Sequence, residues 1–353
     1  MSHEGASSRY EELDALRGVA AMAVVLFHFT MGKPEAELGF KWGTTGVDLF
    51  FIISGFVIFM SLLKVNSSRD FIINRVSRLY PTYWACVIIT FAVILFSCLN
   101  NEEKIPFGQF LGNLTMFQYY FRIKNLDGAY WTMIIEMIFY IGILFLYHFK
   151  ILKNIKIIGI VLTVGIATLV TFFPGPLVQK VLGYIPLMQF IALFFSGIIF
   201  YEIYTTKKSL GLNYTILIIC LICQIGMFHN SGRSNLFISQ TEYAIILTIY
   251  FLIFTLFVNG KLKFIVSKTT LFFGKISFAL YLIHQKISVA FILPFLIVDC
   301  ELNFWIASMV ITLPLMIGLA AFITFYIEAP MSRKLKEKLR SLKPSKNIVN
   351  LKD

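Results

Sequence analysis

Apolar runs long enough to cross a bilayer follow one another along almost the whole chain, and this repetition limits the fold more than any single motif does. Backbone in hydrocarbon must satisfy its own N–H and C=O groups, and a run of about twenty apolar residues does so as a helix. Ten runs are predicted, at 13–31, 47–63, 80–98, 129–147, 155–173, 187–204, 214–228, 243–258, 276–296 and 304–327. Composition agrees: 58% of the 353 residues are hydrophobic and 14% are charged, where a soluble domain has about 25% charged. The expectation is an all-α integral membrane protein, a bundle of about ten transmembrane helices. One domain fills residues 1–330, and a short basic tail follows at 331–353.

The cations orient the bundle. With the N-terminus in the cytoplasm, segments on that side carry 23 Lys and Arg and segments on the far side carry 7, with Lys286 left inside a run. The positive-inside rule therefore predicts both termini in the cytoplasm. It also accounts for the net charge of +12 through membrane topology, with no need for a nucleic-acid partner. The basic tail reads as an amphipathic anchor on anionic lipid. Glu11, Glu12 and Asp14 ahead of the first run, and Arg17 within it, do not fit a cleavable signal peptide.

Within this frame, the ionisable residues inside the runs stand out, because each is costly in lipid. Arg17 and His28 share the first run, eleven residues apart. On a helix that is about 16 Å of rise and nearly one face, so a cation near one surface is paired with an imidazole near the other. Asp48 opens the second run at about the depth of His28. It is either a helix-capping carboxylate or a partner that fixes the imidazole tautomer. Ser54-Gly55 is suited to close helix contact. Arg75 and Arg78 are three apart and adjacent on a helix face; paired guanidinium forks suit phosphate, although a basic cytoplasmic loop has the same spacing. Thr132, Glu136 and Tyr140 share one face of the fourth run, and Ser277, Tyr281, His284 and Ser288 form a polar stripe on the ninth.

Other signals are weak. Cys220 and Cys223 lie in the middle of an apolar run and read as packing residues, while Cys98 and Cys300 fall near outer ends, either bonded or free. No metal-ligand spacing, Gly-rich phosphate loop or nucleophile elbow is present.

Taken in order, these residues resemble the acyltransferase-3 family of multipass membrane acyltransferases. The likeness is carried by Leu13-Asp14-Ala15-Leu16-Arg17-Gly18 with His28, by Phe50-Phe51-Ile52-Ile53-Ser54-Gly55, and by Arg75-Val76-Ser77-Arg78-Leu79-Tyr80-Pro81. It continues through Trp131-Thr132 with Glu136 and Tyr140, Ile276 to His284, and Tyr326-Ile327-Glu328-Ala329-Pro330, where Ala329 replaces a common Arg. The resemblance implies transfer of an acyl group, most often acetyl and sometimes succinyl, from cytoplasmic acyl-CoA to a glycan hydroxyl across the cell (inner) membrane. It implies that Arg17, Arg75 and Arg78 grip the donor's phosphates. His28 is then the expected general base, with Asp48 or Glu136 orienting it, and Tyr140, Ser277, Tyr281 and His284 as substrate or oxyanion candidates. It also implies that the extracytoplasmic domain fused to some members is missing here. The rival expectation from the buried charges is a proton-coupled transporter or flippase, which the lack of evident inverted repeats disfavours.

Overall fold

The computed structural model describes residues 10–230 and 234–342, and these are almost entirely helical. Arg9, Arg233 and the last eleven residues of the basic tail, which entered the charge count above, lie outside the described residues. Among the described residues, nine helices are long and apolar enough to cross a membrane, and a shorter apolar helix makes a tenth. The protein is an all-α multipass membrane protein.

The first three spans are α1 (Glu11–Thr30), α2 (Gly46–Leu63) and α3 (Ser68–Asn100). Glu11, Glu12 and Asp14 occupy the first turn of α1, where the helix dipole favours negative charge. Ser67 caps α3 by accepting a hydrogen bond from the Asp70 N–H at 3.1 Å. The helix therefore starts twelve residues before the apolar run at 80–98, and Arg75 and Arg78 belong to it rather than to a loop. Pro81 lies inside α3 and removes the donor that would reach the Ser77 carbonyl, yet the helix continues.

A short helix α4 (Phe107–Asn113) precedes α5 (Trp131–His148), α6 (Ile155–Phe172) and a second short helix, α7 (Pro176–Tyr184). Then come α8 (Ile191–Thr206), α9 (Leu210–Gly226) and α10 (Gln240–Val258). A capping box starts α10: Ser239 Oγ accepts from the Glu242 N–H at 3.2 Å and Glu242 Oε2 accepts from the Ser239 N–H at 2.8 Å. The last helices are α11 (Lys268–His284), α12 (Leu313–Phe322) and α13 (Ala329–Ser341). Wide π turns extend α11 over Gln285–Ile292 and join α12 to α13 over Ile323–Glu328. Helix thus runs past the expected domain end at residue 330, and α13 packs along α3, where Arg69 donates to the Leu339 carbonyl at 3.1 Å.

Burial separates centre from rim. The spans containing α1, α2 and α8 bury 61, 67 and 67% of their apolar window, whereas that of α6 buries 22%. Two glycine contacts draw the central helices together. α1 packs on α11 where a Cβ on Gly18 would lie 2.8 Å from Gly274 N, and α2 packs on α8 where one on Gly55 would run into the Phe194 carbonyl. Small residues permit this backbone approach in membranes, and the second contact is the one expected of Ser54-Gly55. All five cysteines are free, Cys98 and Cys300 included.

Candidate functional site

Three cavities follow one another between α1, α2, α3, α5 and α11. The widest, about 490 Å³, lies at the Arg17 end and is lined by Asp14, Arg17, Arg78, Lys275 and Glu328 among others. It shares Arg17, Val57, Arg78 and Phe278 with a narrow throat of about 70 Å³. The throat shares Val47 and Tyr281 with a third cavity of about 180 Å³ at the His28 end.

The throat is where the sequence's charged residues meet. Arg17 from α1, Arg75 and Arg78 from α3, and Glu136 and Tyr140 from α5 all line it. Arg75 donates to Ser61 Oγ at 2.9 Å, and its guanidinium lies 5.6 Å from the Phe71 ring and 5.7 Å from the Tyr140 ring. Those two ring contacts and a neutral hydrogen bond hold the fork in place without neutralising it. Glu136 Oε1 accepts from Tyr140 Oη at 2.5 Å and from Ser54 Oγ at 3.4 Å. Among the residues lining the throat one carboxylate faces three guanidinium groups, with Asp14 and Glu328 beside Arg17 and Arg78 in the adjoining cavity; planar forks so placed can pair with phosphate oxygens.

At the other end, the geometry fixes the tautomers of two imidazoles. A carbonyl oxygen only accepts, so a ring nitrogen facing one must carry hydrogen. His284 Nδ1 lies 2.7 Å from the Tyr281 carbonyl, and His28 Nδ1 lies 2.9 Å from the Val24 carbonyl. His284 Nε2 lies 3.0 Å from that same His28 Nδ1. A cationic His284 would set N–H against N–H, so His284 is neutral and its Nε2 shares the one His28 Nδ1 hydrogen with the Val24 carbonyl. His28 Nε2 is then the nitrogen that bears the ring's lone pair. His28 lines the outer cavity, while His284 is fully buried behind it.

The residues singled out from the sequence thus fall into two groups. Arg17, Arg75, Arg78, Glu136, Tyr140 and Ser277 line the throat, and His28 and Asp48 line the cavity beyond it. Tyr281 belongs to both, with Thr132 Oγ1 donating to its hydroxyl oxygen at 3.0 Å. Spacing put Asp48 or Glu136 forward as the imidazole's partner; the atom that reaches His28 Nδ1 is Nε2 of His284. Asp48 is buried and receives a hydrogen bond from Tyr243 Oη at 3.4 Å. Ser288 Oγ donates to the His284 carbonyl.

Asp127 and Gln285 were not singled out from the sequence. Asp127 precedes the span that begins at Gly128 and is fully buried. Its Oδ1 accepts from Ala129 N at 2.8 Å and its Oδ2 from Lys286 N at 2.6 Å, which ties the start of α5 to the wide turn directly after His284. Burial pushes this carboxyl up to about 7, against the pull of the two N–H groups. Gln285 packs against Gly128 and lines the outer cavity. The Asp-Gly step ahead of an apolar run was a readable helix-start signal; its partner on α11 was not.

This arrangement defines a multipass membrane protein whose polar site lies inside the bundle, cationic at one end and imidazole-bearing at the other. The chain belongs to the acyltransferase-3 family: the family model, described as an acyltransferase domain, matches residues 10–328. It is similar to a putative peptidoglycan O-acetyltransferase of Bacillus subtilis, 34% identical over 115 residues, which are 30% of this chain and 16% of that one. It is also similar to an O-acetyl transferase of Shigella phage Sf6, 30% identical over 145 residues, covering 36% of this chain and 43% of the relative. A putative acetyltransferase of Acidianus two-tailed virus matches more broadly, 21% identical over 80% of this chain and 85% of its own. The chain spans less than half the length of the first two relatives. No solved structure matches.

Proposed function

We propose that this chain is a membrane O-acyltransferase that moves an acetyl group from cytoplasmic acetyl-CoA to a hydroxyl of an extracytoplasmic glycan. The observation that carries the reading is the polarity of the path: three arginines in the throat, then His28 in the next cavity, its Nδ1 held between the Val24 carbonyl and His284 Nε2. In this reading the Arg17 end faces the cytoplasm, as the cation count predicts, and the membrane is the cell (inner) membrane. Arg17, Arg75 and Arg78 hold the donor's phosphates, and the thiol arm extends through the throat.

The chemistry is a single acyl transfer. The acceptor oxygen attacks the thioester carbonyl carbon as His28 Nε2 takes the hydroxyl proton, giving a tetrahedral oxyanion. Collapse breaks the C–S bond, the departing thiolate takes the proton back from His28, and the products are an acetyl ester and free thiol. His284 Nε2, accepting from the His28 Nδ1–H, stabilises the transient imidazolium. Tyr281, in the wall common to throat and outer cavity, is placed to donate to the oxyanion.

Purified protein in liposomes with radiolabelled acetyl-CoA and envelope glycan tests this reading. Label is expected in the glycan, with His28→Ala lowering the rate about 10²–10⁴-fold while membrane insertion is unchanged. Normal acetylation by that variant removes His28 from the mechanism; movement of intact solute with no covalent product makes the protein a carrier.

A further inference from the structure

A groove on the flank of the bundle lies apart from the path through its centre. It runs between α3, the segment after α4 and the junction of α12 with α13, and its volume is about 510 Å³. Pro81, Trp84, Ile88, Leu114, Ile327 and Met331 are among the residues that line it. Ile88 and Met331 are 53 and 42% exposed, so the groove opens on the outer surface of the bundle. In a membrane-spanning helix bundle that surface meets lipid.

The wall is fastened by its own polar groups. Trp84 Nε1 donates to the Leu114 carbonyl at 2.9 Å and Tyr80 Oη to the Thr115 carbonyl at 3.0 Å. Thr115 Oγ1 donates to the Gly112 carbonyl at 2.7 Å. These bonds pin residues 114 and 115 against α3 and commit the three hydrogens to the protein itself, which leaves an apolar lining for hydrocarbon.

Toward one end the wall turns basic. Met331 lies in the first turn of α13, and Lys334 and Lys338 follow at i+3 and i+7. That spacing puts them on nearly the same face, about 4.5 and 10.5 Å further along the axis. Both lysines are exposed. The same helix also carries Arg333, Lys336 and Arg340, against Glu337. It runs antiparallel to α3: Arg69 meets Leu339, whereas Ile327 and Met331 share the groove with residues 81–89. The basic face thus points toward the start of α3.

We infer that this groove binds one anionic phospholipid, with an acyl chain against Pro81, Trp84 and Ile88 and the phosphate on Lys334 and Lys338. A chain alone gains little over bulk lipid, because both surroundings are equally apolar. The two lysines supply the preference for a negative headgroup, and the groove fixes where that lipid sits. The inference stands independently of the acyltransfer reading.

The test uses the full chain in vesicles of nine parts phosphatidylcholine to one part phosphatidylglycerol. Bromine is carried on the chains of either all the phosphatidylglycerol or one ninth of the phosphatidylcholine, so the amount of quencher is the same. Trp84 fluorescence is read as the difference between the wild type and Trp84→Phe. Brominated phosphatidylglycerol should quench it about threefold or more over brominated phosphatidylcholine, and the double variant Lys334→Gln, Lys338→Gln should make the two equal. Equal quenching in the wild type, no quenching by either lipid, or a preference that survives the double variant each overturns the inference. If Trp84→Phe fails to fold, native mass spectrometry of the wild type with equimolar lipids reads the same preference. Phosphatidylglycerol should then be retained about threefold or more over phosphatidylcholine, and equal retention overturns the site.

Discussion

His284 Nε2 lies 3.0 Å from His28 Nδ1, joining residues 256 positions apart in the chain. Because the His284 Nδ1 hydrogen is committed to the Tyr281 carbonyl, the second ring can only accept. A neutral acceptor costs less to bury in a bundle core than a carboxylate does. It still favours the charged state that His28 passes through.

His284→Leu should lower kcat about 10–100-fold, the value of a hydrogen bond of about 1.5–3 kcal/mol to a charged group, with KM for the donor little changed. His284→Gln, whose amide oxygen can accept, should recover part of the loss. In ¹⁵N-histidine-labelled protein His28 should show a protonated Nδ1 and a bare Nε2. Wild-type turnover in the Leu variant, or a protonated Nε2 in the neutral ring, would sink the assignment.

Arg75 and Arg78 are expected to act on donor binding. Alanine at either position should raise KM for acetyl-CoA at least tenfold, about 1.4 kcal/mol, with a smaller effect on kcat. Lysine should rescue poorly, since a point charge cannot replace the planar fork that rests on Phe71 and Tyr140 at position 75. Steady-state kinetics decide it: an unchanged KM in both alanine variants would place the phosphates elsewhere.

Glycine packing gives a prediction with a sign change. A Cβ on Gly55 meets the Phe194 carbonyl, which is backbone and cannot turn away. Gly55→Ala should therefore cost about 1–3 kcal/mol and lower the unfolding temperature in detergent. Gly165 in α6 has nothing within 4 Å of that position, so Gly165→Ala should be neutral or stabilising by up to about 1 kcal/mol. Equal responses would mean that the α2–α8 contact is not tight.

Asp127 makes stability depend on pH. Its folded carboxyl titrates at about 7 and an unfolded one at about 3.9, so between those values the folded chain holds a proton the unfolded chain has lost. Stability from this group is therefore greatest at low pH and falls as pH rises toward 7, where the folded group also ionises. Unfolding temperature in detergent should drop between pH 5 and 7, and Asp127→Asn, uncharged throughout, should drop less. A larger fall in the variant would contradict the sign.

Helical periodicity made part of this site legible. Arg17 and His28 share a face because eleven residues close nearly three turns, and the i, i+4 series Thr132, Glu136, Tyr140 does line one cavity. The start of α3 was hidden because a hydropathy window stops at polar residues, although Ser67 and Asp70 carry a helix-start pattern. The His28–His284 and Asp127–Lys286 contacts were not readable at all. Each joins helices distant in sequence, and only packing, through close contacts such as Gly18 on Gly274, sets which face meets which.

The throat also bears on the membrane as an insulator. A bilayer stores a voltage, and each elementary charge that leaks across 100 mV dissipates about 2.3 kcal/mol. A site open to water from both faces would be such a leak. With about 70 Å³ between the larger cavities and three guanidinium groups around it, the throat opposes the entry of cations and protons, and in the proposed reading the donor's thiol arm fills it. In the proposed reading the bundle hands a chemical group through the membrane without discharging it.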